Sequence, residues 1–158
     1  MKAEEDCLEI LEAQAAQNMA GSLNFVPAIA LSTAQVQSIS PGALAYLGDA
    51  VYELYVRTRY LFPPKRLQSY HHRVVAQVRA ESQAQYLRSL QPFLTAEELE
   101  ILRRGRNAAS GRPKRVDPEI YQQATSLEAL MGYLYLTDPQ RLTYLLAQLK
   151  LDPMLEEE

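Results

Sequence analysis

An all-α fold is what the sequence predicts, on three observations. The apolar residues, 47% of 158, come from helix formers, with 24 Leu and 20 Ala against 8 Val and 5 Ile, a balance that disfavours strands. Apolar positions recur at spacings of three, four and seven rather than two. Helix-opening signals also recur along the chain, each a small polar residue followed by proline or by Glu/Gln three residues on.

Residues 3–19 have a helical composition, but Leu8, Ile10 and Leu11 make a thin apolar stripe, so a docked helix and a frayed extension both fit. Gly21 to Ser32 contains Gly, Asn, Ser and Pro27 and reads as a connector. Ser32 with Gln35 resembles a capping box that opens a short helix toward Ile39. Ser40-Pro41 pairs an N-cap with proline at the first helical position, where its missing N–H costs nothing. The helix that follows carries Leu44, Leu47, Val51, Leu54 and Leu61 as its core face and ends at Pro63-Pro64. A helix over about 66–90 places Leu67, Val74 and Val78 on one stripe and is bounded by Pro92. Thr95 and Glu98 make a capping box for a helix that Gly105 is placed to end as its C′ residue. Asn107 to Arg115 reads as a loop. Asp117-Pro118 then opens a helix with Ile120, Ala124, Leu127, Met131 and Leu134 on its core face. Asp138-Pro139 opens the last, with Leu142, Leu145, Leu146 and Leu149.

A single cysteine, Cys7, excludes an intramolecular disulfide, and the adjacent His71 and His72 offer no zinc spacing. They read as surface or interface residues. No apolar run approaches the roughly 18 residues of a membrane span, and the acidic start, Glu4-Glu5-Asp6, is unlike a signal or transit peptide. These features predict a cytoplasmic protein. The net charge of −3 conceals an uneven distribution: residues 1–39 carry −4, residues 40–115 carry +7 and residues 116–158 carry −6. The total argues against a nucleic-acid partner, whereas the basic middle argues for one.

Two acidic constellations stand out. In Leu47-Gly48-Asp49-Ala50-Val51, Asp49 falls roughly 140° from Leu44, on the face of Tyr46, Glu53 and Tyr60. Gly48, inside a strong helix, suggests that something approaches the backbone there. In Ser126-Leu127-Glu128-Ala129-Leu130-Met131-Gly132, Glu128 lies at the margin of an apolar face, where a carboxylate is costly unless paired or metal-bound. Each also has a plain structural reading, Asp49 as a solvated acid beside a helix-packing glycine and Glu128 as a residue just outside the core. Together, from packed helices, they can hold Mg²⁺, which takes one or two protein carboxylates and fills its octahedron with water and phosphate oxygens. Metal-assisted phosphodiester hydrolysis is the matching reaction class. Between Arg103 and Arg115, six of thirteen residues are basic and none acidic: Arg103, Arg104, Arg106, Arg112, Lys114 and Arg115. The helix dipole explains cations at positions 103 and 104; the other four favour a polyanion-binding loop. Tyr46, Tyr52, Tyr55 and Tyr60 crowd one helix and read as structural, lining a core edge or an interface.

These motifs make the chain resemble the ribonuclease III endonuclease-domain family, Leu47 to Val51 matching its signature helix and Ser126 to Gly132 its second acidic motif. The match runs from about Val36 to Leu149. Within the family the chain is similar to the Mini-ribonuclease III subfamily, on the segment Arg103 to Gly111, the lead-in Ala43-Leu44-Ala45-Tyr46 and the 30 residues after Glu128, too few for a double-stranded-RNA-binding domain. The resemblance implies an all-α homodimer that hydrolyses double-stranded RNA with Mg²⁺ to give 5′-phosphate products. It also implies a role in maturing the ends of 23S ribosomal RNA precursor, with a ribosomal protein as a candidate for presenting the substrate. It assigns Asp49 and Glu128 as catalytic residues and metal ligands. Ala45 stands where ordinary members carry a glutamate and Thr125 where they carry an aspartate; the subfamily shares both losses, which leave fewer direct ligands. They also keep open the alternative of a non-catalytic RNA-binding or ribosome-assembly protein on the same fold. The expected organisation is an N-terminal extension over 1–35, a catalytic domain over 36–151 and an acidic tail over 152–158.

Overall fold

The computed structural model describes residues 30–109, 111 and 115–152. The predicted helix over 3–19, most of the connector, Arg112, Lys114 and all but the first residue of the expected tail lie outside them. The described residues form helices and no strand: α1 (Thr33–Ser38), α2 (Pro41–Tyr60), α3 (Leu67–Val78), α4 (Ala80–Leu90), α5 (Ala96–Ala108), α6 (Pro118–Thr137) and α7 (Pro139–Ala147). A 3-10 turn, Gln91–Phe93, joins α4 to α5.

Every predicted N-cap within this range is made. Ser32 Oγ accepts from the Gln35 N–H at 3.2 Å while Gln35 Oε1 accepts from the Ser32 N–H at 2.8 Å, and Thr95 and Glu98 repeat the exchange at 3.2 and 2.9 Å. Ser40, Asp117 and Asp138 cap the helices whose first residues are Pro41, Pro118 and Pro139.

α6 is the centre of the molecule. Leu127, Ala129, Leu130 and Met131 have 0% exposure, and α2, α4 and α5 all pack on it, which explains an apolar circumference too broad for a surface helix. α7 closes the core with Leu142, Leu145 and Leu146, and Leu149, expected on the same helix, is buried just beyond its end. One polar seam runs through this core. Tyr52 Oη–H donates to the Gln77 carbonyl at 2.9 Å, Tyr86 donates to Gln77 Oε1, Gln77 Nε2–H donates to Asp152 Oδ2 at 2.8 Å, and Tyr60 donates to the Asp152 carbonyl at 2.6 Å. Elsewhere Arg141 holds Glu98 with two charge-assisted hydrogen bonds, at 2.7 and 3.0 Å, and donates a third to the Phe93 carbonyl at 2.6 Å, joining α7 to the start of α5.

Four expectations are corrected. The helix over 66–90 is two helices, because Arg79 is extended (φ −65°, ψ 154°) between α3 and α4. Side-chain bonds around the break, including Ser82 Oγ–H to the Ala76 carbonyl at 2.6 Å, take up its polar groups. Gly105 does not end its helix. It is buried within α5, which runs on to Ala108, and a Cβ there would lie 2.9 Å from the Ala129 Cβ, so its smallness serves the α5–α6 contact. The core face of α2 is also rotated from the predicted stripe. Leu44, Gly48, Tyr52, Val56 and Tyr60 are buried at steps of four, whereas Leu54 is 38% and Leu61 62% exposed. Tyr60, placed with Asp49 by helical angle, is thus inside, packed in the main core with its hydroxyl donating to the Asp152 carbonyl. Leu67, read as core, is 78% exposed at the first turn of α3.

Candidate active site

Asp49 and Glu128 are brought together by glycine. A Cβ on Gly48 would lie 1.7 Å from the Glu128 carbonyl oxygen, and one on Gly132 would lie 2.0 Å from the Leu44 carbonyl oxygen. Such distances are possible only between bare backbones. α2 and α6 therefore cross main chain to main chain, at Glu128 and at the residue just before Asp49. The approach that Gly48 suggested is the approach of α6. Ala45, 5% exposed, packs with Leu44 and Ala129 beside the same crossing, so the position that lacks a glutamate is part of the helix interface.

The two carboxyl groups sit in different environments. Asp49 is exposed at the surface of α2, yet partial burial and the nearby Glu53 charge push its carboxyl above the ordinary value. Glu128 is partly buried, and burial pushes it up to about 7; the Gln83 hydrogen bond pulls the other way, and the Asp49 charge adds to the rise. Arg57 does not relieve either group, because it pairs with Glu53 one turn along α2 at 2.6 Å. Among the described residues neither Asp49 nor Glu128 has a salt bridge, and no group of three or more His, Cys, Asp or Glu is arranged to hold a metal ion. The donor chemistry is two carboxylates with unspent charge, which suits a largely hydrated divalent cation better than an all-protein cage.

Sequence reasoning missed Gln83. This α4 side chain, 2% exposed, donates from Nε2 to Glu128 Oε1 at 3.0 Å and to the Val78 carbonyl at 2.8 Å. Its partner is 45 positions away in sequence, and nothing local marks it.

The basic segment is partly engaged. Arg103 is exposed and bonds Glu100 through two nitrogens, at 2.8 and 2.6 Å, and exposed Arg106 meets Glu119 at 3.4 Å. Arg104 is half-buried and Arg115 exposed. Exposed pairs of this kind contribute little and exchange readily for another anion. Of the four tyrosines on α2, Tyr52 and Tyr60 are buried, and Tyr55 is half-buried and donates to the Leu146 carbonyl at 3.2 Å. Tyr46, three residues before Asp49, is 85% exposed. His71 and His72 are exposed on α3.

The family model described as the ribonuclease III domain matches residues 42–139, most of the described helices, so the chain belongs to that family. The chain belongs to the Mini-ribonuclease 3 branch of this endoribonuclease family. It is 63% identical over 116 residues to the Mini-ribonuclease 3 of Synechocystis sp., covering 73% of this chain and 81% of that protein. With the Mini-ribonuclease 3 of a Synechococcus strain it shares 61% over 119 residues, 75% of this chain and 86% of that one. A crystal structure of a Fusobacterium nucleatum protein is similar with a TM-score of 0.66 at 29% identity, covering 70% of this chain and 92% of the other. No helix among the described residues is long and apolar enough to cross a membrane.

Proposed function

We propose that this chain is a Mg²⁺-dependent endoribonuclease that cuts double-stranded RNA and matures the ends of 23S ribosomal RNA precursor in the cytoplasm. The supporting observation is the Gly48–Gly132 crossing, which brings the helices of Asp49 and Glu128 together where, among the described residues, neither carboxyl group has a salt bridge. Residues 36–151 form the catalytic domain in this reading, flanked by the extension over 1–35 and the tail over 152–158. Two copies of the domain act as a homodimer, one centre for each strand. A ribosomal protein is the candidate for presenting the precursor.

Asp49 and Glu128 hold the cation through their carboxylate oxygens. A divalent cation held there would supply positive charge at the attacked phosphodiester and would acidify a water, the chemistry that in-line hydrolysis to 5′-phosphate and 3′-hydroxyl ends requires. With its carboxyl near 7, Glu128 gives up its proton to become a ligand, so binding is coupled to proton release. Arg103, Arg104, Arg106, Arg112, Lys114 and Arg115 grip phosphates and 2′-hydroxyls of A-form RNA, largely by shape. Arg103 and Arg106 exchange Glu100 and Glu119 for phosphate as the duplex docks. Binding therefore weakens steeply with salt.

The test is Asp49→Asn with a labelled RNA duplex. The variant keeps its fold and its salt-dependent affinity for the duplex and loses Mg²⁺-dependent cleavage. Cleavage at the wild-type rate would overturn the assignment of Asp49 to the catalytic centre.

A further inference from the structure

Gln83 is a polar side chain that packing does not explain. It is 2% exposed on α4, which packs on α6, and its Oε1 is buried without a hydrogen-bond partner among the described residues. An apolar side chain of the same size avoids that unsatisfied oxygen. The amide nitrogen, by contrast, has no spare donor: one N–H goes to the Val78 carbonyl at 2.8 Å and the other to Glu128 Oε1 at 3.0 Å.

The backbone dictates which way this amide faces. α3 ends at Val78, and extended Arg79 interrupts the helical ladder before α4 begins. The Val78 carbonyl takes its donor from Gln83. Turning the amide over would set its oxygen against the Val78 carbonyl and against the Glu128 carboxylate, two acceptor–acceptor contacts. The break between α3 and α4 thus aims an N–H at one oxygen of Glu128, and the price is the orphaned Oε1. Glu128 Oε2 keeps no hydrogen bond among the described residues, so one oxygen is tethered and the other is available to a ligand.

We propose that Gln83 is a positioning residue, which clamps Glu128 Oε1 to the end of α3 and so presents the carboxylate in one orientation to the divalent cation. The inference rests on the reading of Asp49 and Glu128 as cation ligands. Partners of ligating groups commonly govern metal affinity by about 10–100-fold, and Gln83, being buried, makes no contact with RNA.

The experiment uses the full chain carrying Gln83→Met or Gln83→Asn, with Mn²⁺ as the probe. Methionine fills the space without an amide, and asparagine is one methylene short of spanning Val78 and Glu128. Both variants keep the helical circular dichroism spectrum, and Gln83→Met, which loses the unsatisfied oxygen but also the donor to the Val78 carbonyl, melts within a few degrees of the wild type in chelator. Each binds Mn²⁺ on the order of tenfold more weakly by paramagnetic resonance. On duplex RNA, kcat falls while KM stays, and raised Mg²⁺ restores the rate. Wild-type Mn²⁺ affinity in folded Gln83→Met overturns the proposal, and so does loss of the helical fold in both variants, which makes the residue structural. Glu128→Gln measured alongside separates the failures. If it loses Mn²⁺ while the Gln83 variants do not, only the role of Gln83 falls; if it binds Mn²⁺ as the wild type does, the cation-site reading falls with it.

Discussion

Glutamine at position 128 makes the metal-free protein more stable, and the gain depends on pH. The fold raises the Glu128 carboxyl from 4.5 to about 7, so between those values the folded state binds a proton that the unfolded state has released. Stability contributed by this group is therefore present below 4.5 and is lost as the pH rises through 7. At about 1.4 kcal/mol per tenfold change in proton affinity, the loss at pH 8 is on the order of 3 kcal/mol. Glu128→Gln has the same shape, stays neutral, and keeps an oxygen to accept from Gln83 Nε2–H. In chelator at pH 8 it should unfold about 5–10 °C above the wild type, and at pH 4.5 at nearly the same temperature. Adding Mg²⁺ closes the gap by stabilising the wild type alone. Thermal scans at three pH values, with and without Mg²⁺, read all of this. Equal melting at pH 8 in chelator would refute the burial argument; equal stabilisation of both proteins by Mg²⁺ would refute the assignment of Glu128 as a ligand.

Other substitutions test the frame around the site. Arg141→Met leaves Glu98, 4% exposed, without its cation and should cost about 3–5 kcal/mol in urea unfolding at pH 7. The Arg141 guanidinium, with help from the Thr95 hydrogen bonds, holds the Glu98 carboxyl below its ordinary 4.5, so the wild type keeps that stability above 4.5 and loses it as the pH falls through the lowered value, while the variant shows a smaller fall. Gly48→Ala drives a methyl group to 1.7 Å from the Glu128 carbonyl oxygen and should cost more than about 3 kcal/mol or prevent folding. Gly42→Ala, on the same helix with nothing within 4 Å, should be neutral or stabilise by up to about 1 kcal/mol. Equal melting temperatures for the two alanine variants would contradict the main-chain crossing.

What could be read from the sequence was what is decided within a few residues. The caps at Ser32, Ser40, Thr95, Asp117 and Asp138 each join residues two or three positions apart, so their types and spacing announce them. Gly48 was legible for a similar reason, since a glycine inside a strong helix is unfavourable unless something needs the space. The break at Arg79 was not, because neither proline nor glycine marks it and tertiary bonds hold it open. The rotation of the α2 face escaped as well: Leu54 and Tyr60 are both good core residues by type, and the packing of other helices, together with the Tyr60 bond to the Asp152 carbonyl, decides which is covered. Gln83 lay furthest from view, a polar residue on an amphipathic helix whose partner belongs to another helix.

A contact between two main chains has no rotamers through which to loosen. Side-chain packing around a site slackens gradually with warming, but the interval between Asp49 and Glu128 is set where the Gly48 and Gly132 backbones touch, and it persists until α2 and α6 part. That separation dismantles the core built on α6. Warming that leaves this domain folded therefore leaves the spacing of the two helices at Asp49 and Glu128 unchanged, and only their side chains can drift.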